Sequence, residues 1–166
     1  MIIKTSTAIL GGGSTLLALL SYVRDGKITV SNKIYAYDLN SDLISVYINV
    51  QKNPYKLYDK IKEIMNEYLA CDGDDINRKP KIKKEAITSR ESYYYWIRYK
   101  YNDLSIDDKT NIIGSAMFMF LNKTCFRGIY RIGPHGFNVP FGHYVNSKII
   151  SKNTVLSISN LIQNVK

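Results

Sequence analysis

Thr7-Ala8-Ile9-Leu10-Gly11-Gly12-Gly13-Ser14 is the stretch on which the fold class turns. Residues 7–10 read as a short buried strand, and three glycines break it. Leu16, Leu17, Leu19, Leu20 and Val23 then recur at helical spacing. After a turn at Asp25-Gly26-Lys27, the β-rich run Lys33-Ile34-Tyr35-Ala36-Tyr37 ends at Asp38. A strand, a glycine loop, a helix and a second strand closed by an acid are the opening unit of an open α/β sheet. Glycines let the backbone approach a ligand at the carboxyl end of the first strand, and an acid about 25 residues on can accept both ribose hydroxyls. Gly11, Gly12, Gly13, Ser14 and Asp38 are therefore the candidate cofactor residues. The loop is not G-x-G-x-x-G and lacks the lysine of a P-loop. On these residues alone, S-adenosylmethionine, a dinucleotide and a plain glycine-rich helix start all stay open.

Working outward, Asn40 or Ser41 can cap a helix through about Val50. Asn53-Pro54 opens another, with Leu57, Ile61, Ile64, Met65 and Leu69 on its apolar face. The composition changes after residue 70. Residues 72–75 hold three aspartates, and residues 78–84 carry five basic side chains in seven, which predicts a solvated, mobile loop. Residues 89–102 hold six aromatics among Arg90, Arg98 and Lys100. Helical spacing puts Tyr94, Ile97 and Tyr101 on one side and turns Arg98 away. That stretch suits base stacking and phosphate contact, or a core helix with tyrosine hydroxyls at its rim. Ser105 predicts a helix to about Leu121, its core face formed by Ile112, Ile113, Ala116, Met117, Phe120 and Leu121. Residues 122–146 read as a loop with a hairpin, and 153–165 as a weakly amphipathic helix.

The 166 residues are 45% hydrophobic, enough for a real core, and carry a formal charge of +9 with a pI near 9.4. Such a balance attracts polyanions, nucleic acid first among them. Two cysteines, Cys71 and Cys125, suggest no disulfide framework and a reducing, intracellular setting. The apolar runs are too short to span a membrane. His135 and His143 stand without clustered cysteines or carboxylates, which argues against a metal site.

The longest string of unusual composition is Phe120-Leu-Asn-Lys-Thr-Cys-Phe-Arg-Gly-Ile-Tyr-Arg-Ile-Gly-Pro-His-Gly-Phe-Asn-Val-Pro-Phe-Gly-His-Tyr144. Lys123, Arg127 and Arg131 offer cations, and Asn122 and Asn138 offer amides that can pair with a base edge. Pro134 and Pro140 stiffen the loop and lower the entropy lost when it orders on a ligand. An ordinary polar surface hairpin is the plainer reading.

Within that string, Asn122-Lys-Thr-Cys-Phe126, Gly128-Ile-Tyr-Arg131 and Phe137-Asn-Val-Pro-Phe-Gly-His-Tyr144 resemble the signature of the Dam-like N6-adenine DNA methyltransferases. The likeness extends to residues 11–14, to Ile34-Tyr-Ala-Tyr-Asp-Leu-Asn40 and to Tyr93-Tyr-Tyr-Trp-Ile-Arg98, over essentially the whole chain. It implies an α/β fold, an incomplete doubly wound, Rossmann-like sheet with a mostly helical target-recognition insert. Residues 1–54 would be the first part of the cofactor domain, 55–150 the recognition region with its DNA-reading hairpin at 122–144, and 151–166 the start of the return. It implies S-adenosylmethionine as cofactor, with Gly11 to Gly13 toward its methionine part and Asp38 on its ribose. Double-stranded DNA is the implied partner, methylated at adenine N6 in a short site. The implied contact set is Arg90, Asn122, Lys123, Arg127, Tyr130, Arg131, Asn138, Pro140 and Tyr144. Arg131, Asn138 and Pro140 would enter the DNA, while Lys123, Arg127 and Tyr144 position its backbone.

The departures carry expectations too. Ser6-Thr7-Ala8-Ile9-Leu10 stands where the family places an acid, a proline and a phenylalanine before its glycines. No Asp-Pro-Pro-Tyr occurs among the 166 residues. In the family that motif accepts the adenine amino group and stacks on the flipped base. The chain alone is therefore expected to be inactive, with a second chain supplying the rest. The alternatives are a non-catalytic, sequence-specific DNA-binding remnant and a nucleotide-binding domain unrelated to DNA. A parallel sheet without its later strands would leave an edge and an apolar face uncovered, which predicts marginal stability or a covering partner.

Overall fold

The structure is a computed structural model, and it describes residues 2–3, 6–9, 11–148 and 150–166, with side chains for residue 8 and for those from 11 onward except 149. Leu10, read above as the end of the first strand, lies outside the described residues.

In chain order the elements are β1 (Ile2–Ile3), β2 (Ser6–Ile9), α1 (Ser14–Arg24), β3 (Thr29–Val30), β4 (Ile34–Tyr37), α2 (Ser41–Lys52), α3 (Pro54–Leu69), α4 (Lys83–Ala86), α5 (Arg90–Asp103), α6 (Ile106–Thr110), α7 (Ile112–Thr124), β5 (Ile132–Gly133), β6 (Gly136–Phe137) and α8 (Lys152–Leu161). The chain is thus mixed α/β and mostly helical. β2 and β4 pair in parallel, Ala8 opposite Ala36 and Ile9 opposite Tyr37. β1 and β3 form a second short parallel pair. At the far end of the sequence Val165 bridges Ile34 in parallel; the Lys166 N–H donates to the Ile34 carbonyl at 3.0 Å, and the Ala36 N–H donates to the Lys166 carbonyl at 2.8 Å. β4 therefore runs between β2 and residues 165–166.

Sequence chemistry accounts for most helix boundaries. Asn40 is the N-cap of α2, its Oδ1 accepting from the Asp42 and Leu43 N–H groups. Pro54 occupies the first position of α3, where its missing N–H costs nothing. Ser89 caps α5 through the Ser92 N–H, and Ser151 caps α8 through the Thr154 N–H.

Three expectations change. The helix predicted from Ser105 to Leu121 is two helices, α6 and α7, because Asn111 turns its amide oxygen onto the Ile113 and Gly114 N–H groups and starts a new helix there. That turn also exposes Ile113 and brings Phe118 and Ser115 inside. On α3 the buried row is Leu57, Ile61, Ile64, Met65 and Tyr68, while Leu69 is exposed, since a 3.6-residue period rotates position 69 out of the face. Residues 78–84 are solvated but anchored, as described below.

One apolar core runs through the molecule. α7 packs against α2, α3 and α5, and α8 packs back across α1, α2 and α3. Tyr68 meets Phe120 edge-on at 5.4 Å between ring centroids, and Tyr93 and Phe141 close the same cluster. The buried Asn49 ties α2 to the helices after it by donating to the Thr110 carbonyl and the Ser115 hydroxyl.

Candidate cofactor loop and nucleic-acid interface

Two groups of candidate residues emerge at opposite parts of the chain, and the structure gives each a definite setting. The first lies where β2 runs into α1. Gly11 and Gly13 take positive φ, +44° and +79°, and Gly13 is the N-cap of α1. An added Cβ on Gly11 or Gly12 would meet nothing within 4 Å, so their backbone is open to a ligand. Gly13 is different: the Tyr47 hydroxyl of α2 occupies the space a side chain there would need. Asp38 follows β4 and accepts the Gly11 N–H on Oδ2 and the Asn40 N–H on Oδ1, both at 2.8 Å. An ionised carboxylate has about four acceptor sites, so each oxygen keeps capacity for a ligand hydroxyl. Burial, and then the charge of Asp38, push the Tyr47 hydroxyl above its ordinary pKa, keeping it a neutral donor. Ser14 is exposed at the first position of α1.

The second group is the hairpin. Two sets of backbone pairing close it. Near its base the Phe126 N–H donates to the Pro140 carbonyl and the Gly142 N–H to the Thr124 carbonyl, with Cys125 bridging Phe141. Further out the Asn138 N–H donates to the Arg131 carbonyl, and β5 pairs antiparallel with β6 around the Pro134-His135 turn. Gly136 at φ +93° supplies the turn conformation that other residues resist.

The candidate DNA residues divide by what holds them. Arg131 and Asn138 face each other across the strands: Arg131 Nε donates to Asn138 Oδ1 at 2.7 Å and its Nη2 to the Asn138 carbonyl at 3.1 Å. Those bonds engage two of the five guanidinium donors and fix the plane of the rest. Arg127 has φ +56°; its N–H donates to the Tyr144 hydroxyl at 2.8 Å and its guanidinium lies over Phe126. Lys123, Arg127, Tyr144 and Asn146 line a polar recess of about 330 Å³ at the hairpin base. Pro140 is exposed and offers its carbonyl inward. Three residues are set otherwise. Asn122 spends its amide on the Gly128 carbonyl, 3.0 Å away. Arg90 lies over the Tyr68 ring at 5.7 Å. Tyr130 packs at tilted angles against Phe118 and Phe137 and donates to Asp42 Oδ2 at 3.1 Å.

That last bond joins the two groups. Asp42 sits in the first turn of α2, four residues after Asp38, so the hairpin is tied to the helix that follows the candidate cofactor acid. The platform beneath the hairpin is α5. Tyr94 and Arg98 both donate to the Val139 carbonyl, at 2.7 and 3.0 Å. Asn102 brackets Phe137, donating to its carbonyl at 3.0 Å and accepting its N–H at 2.8 Å. Arg98, expected to turn away, is thus part of the seam, which follows the row 94, 98, 102 and so joins Tyr94 of the buried side to Arg98. Sequence reading missed Asn102, Asp42 and Tyr47 as supporting groups. The spacing 94, 98, 102, one row on a helix, was the available signal.

A model of the D12 class N6 adenine-specific DNA methyltransferase family matches residues 10–166, a span that takes in the glycine loop, Asp38 and the hairpin. The chain belongs to that family. Among its relatives, this D12-class chain is 32% identical over 157 residues to the type II methyltransferase M.MjaIII of Methanocaldococcus jannaschii, covering 94% of the chain and 47% of that protein. It is 28% identical over 128 residues to M1.LlaDCHI of Lactococcus lactis subsp. cremoris, covering 76% of the chain and 38% of the relative. A third likeness, 28% over 108 residues, is to the DNA N-6-adenine-methyltransferase of Escherichia phage P1. The D12-class chain spans about half or less of the length of these curated relatives. Among its described residues no helix is long and apolar enough to cross a membrane, and no cluster of three or more metal-ligating side chains occurs.

Proposed function

We propose that this chain carries the cofactor loop and the DNA-reading hairpin of an adenine-N6 DNA methyltransferase, in a doubly wound sheet of which β2, β4 and residues 165–166 are a part. S-adenosylmethionine supplies the methyl group. Gly11 and Gly12 leave room beside the backbone for its methionine end, the Gly11 N–H being held by Asp38, and Asp38 offers its remaining acceptor sites to the ribose hydroxyls. Tyr47 excludes side-chain bulk from Gly13 and keeps the loop closed against α2. Arg131, oriented by Asn138, presents its remaining donors to a base edge in duplex DNA, the geometry in which arginine reads guanine. Lys123, Arg127 and Tyr144 hold the phosphate backbone at the hairpin base. Two relatives are named type II methyltransferases, and on that likeness we assign the chain to restriction–modification. Transfer itself is assigned to no residue of this chain, whose 166 residues hold no Asp-Pro-Pro-Tyr.

The observation that carries this reading is the Arg131–Asn138 pair at the hairpin mouth. Selection from a pool of randomised duplexes should enrich a short motif. Arg131→Ala should flatten at least one position of it and weaken binding by about 1–3 kcal/mol. A pool that returns unenriched would sink the reading. Labelled S-adenosylmethionine added to the selected duplex separates a transferring chain from one that binds alone.

A further inference from the structure

A cleft of about 490 Å³ opens between the exposed face of α5 and the basic loop, lined among others by Arg78, Lys79, Lys81, Tyr95, Arg98 and His135. None of the residues assigned above to cofactor or base reading lies in it. The loop side is built rather than loose. The Asn77 N–H donates to the Ser92 hydroxyl at 2.8 Å, the Lys79 N–H to Asn77 Oδ1 at 2.9 Å, and the Lys81 N–H to Glu85 Oε2 at 2.8 Å. Arg78 pairs at 2.8 Å with Glu91, whose side chain is 5% exposed, and Pro80 is buried between the two lysines. The backbone is held while the Lys79 and Lys81 side chains stay exposed. On the opposite wall Arg98 lies over the Tyr95 ring at 4.6 Å with one donor on the Val139 carbonyl. Arg78 is offset by Glu91 and Asp103 is the acid of the lining, so that among Lys79, Lys81 and Arg98 an excess of two positive charges remains. His135, at the hairpin turn, makes the cleft continuous with the hairpin.

We propose that this cleft seats the sugar–phosphate backbone of duplex DNA beside the segment the hairpin reads. The inference rests on the DNA-binding reading above and extends its footprint to the α5 side. Lysines are point charges without planar donor geometry, so the contact is independent of sequence. Its signature is counterion release: each phosphate neutralised adds close to one unit to the salt dependence of binding.

The test is fluorescence anisotropy of the full chain with a labelled duplex across a range of salt. Lys79→Ala/Lys81→Ala should reduce the slope of log K against log salt by about two units, weaken binding by a similar factor on every duplex, and leave sequence preference unchanged. Lys27→Ala/Lys62→Ala removes the same charge from exposed positions outside the cleft and should leave the slope nearly unchanged. An unchanged slope for the cleft variant, or an equal fall in both, overturns the inference while the hairpin reading stands. Failure of the unsubstituted chain to bind any duplex overturns both.

Discussion

Gly13 is where three constraints meet at one residue. It caps α1, takes φ +79° and lies under the Tyr47 hydroxyl. A left-handed conformation costs a residue with a Cβ roughly 1–2 kcal/mol, and the clash with Tyr47 adds to it. Gly13→Ala is therefore expected to lose about 1–3 kcal/mol in urea denaturation. Gly12→Ala, with ordinary φ and open space, should stay within about 1 kcal/mol of the unsubstituted chain. Equal losses would show that the loop is not held by this packing. The glycine run was legible in the sequence as the break between a strand and a helix. The inequality of its glycines was not, since it depends on a tyrosine from the next helix.

At the scale of elements, the hairpin is stabilised less by its own short ladder than by α5. Asn102 satisfies both backbone groups of Phe137, a residue 2% exposed. Asn102→Ala leaves a buried N–H and carbonyl without that partner, a loss of roughly 2–4 kcal/mol in hairpin stability. Hydrogen exchange at the Phe137 amide should accelerate by at least tenfold while amides of α3 keep their protection; uniform acceleration would mean that hairpin and core open as one unit. The aromatic spacing made Tyr94, Ile97 and Tyr101 legible as core. Arg98 and Asn102 were not legible as hairpin supports, because helical periodicity says which residues share a face but not what lies against it. The break between α6 and α7 was hidden for a related reason: the polar residues 107–111 carry no apolar period that shows a boundary, and the second helix starts at the Asn111 side-chain cap.

Across the whole molecule the buried tyrosines set the alkaline limit. Burial first, helped by Glu67 beside Tyr93, raises the hydroxyls of Tyr93, Tyr94 and Tyr101 far above the ordinary value of 10.0, and burial together with Asp42 lifts Tyr130 to about 12. A raised acid releases its proton more readily when unfolded. The stabilisation is complete below pH 10 and is lost as pH rises through the folded values. Urea midpoints should fall steeply above pH 10, and the share of tyrosinate absorbance that belongs to the buried rings should appear only with unfolding. Full tyrosinate absorbance before the fold is lost would contradict this. The two strands β2 and β4 were legible from the order of strand, glycines, helix and strand, but the pairing of residues 165–166 with β4 was not, since two residues carry no period. The bonds that α2 makes to distant segments also bear on synthesis. Asn49 waits for Thr110, 61 residues on, and Gln51 for the Val165 carbonyl, 114 residues on. At about 5–20 residues per second, α2 leaves the ribosome roughly 6–23 s before Val165 follows it. Helix α2, which follows Asp38, is therefore assembled late, and the nascent chain must keep its apolar side shielded until residues 162–165 arrive.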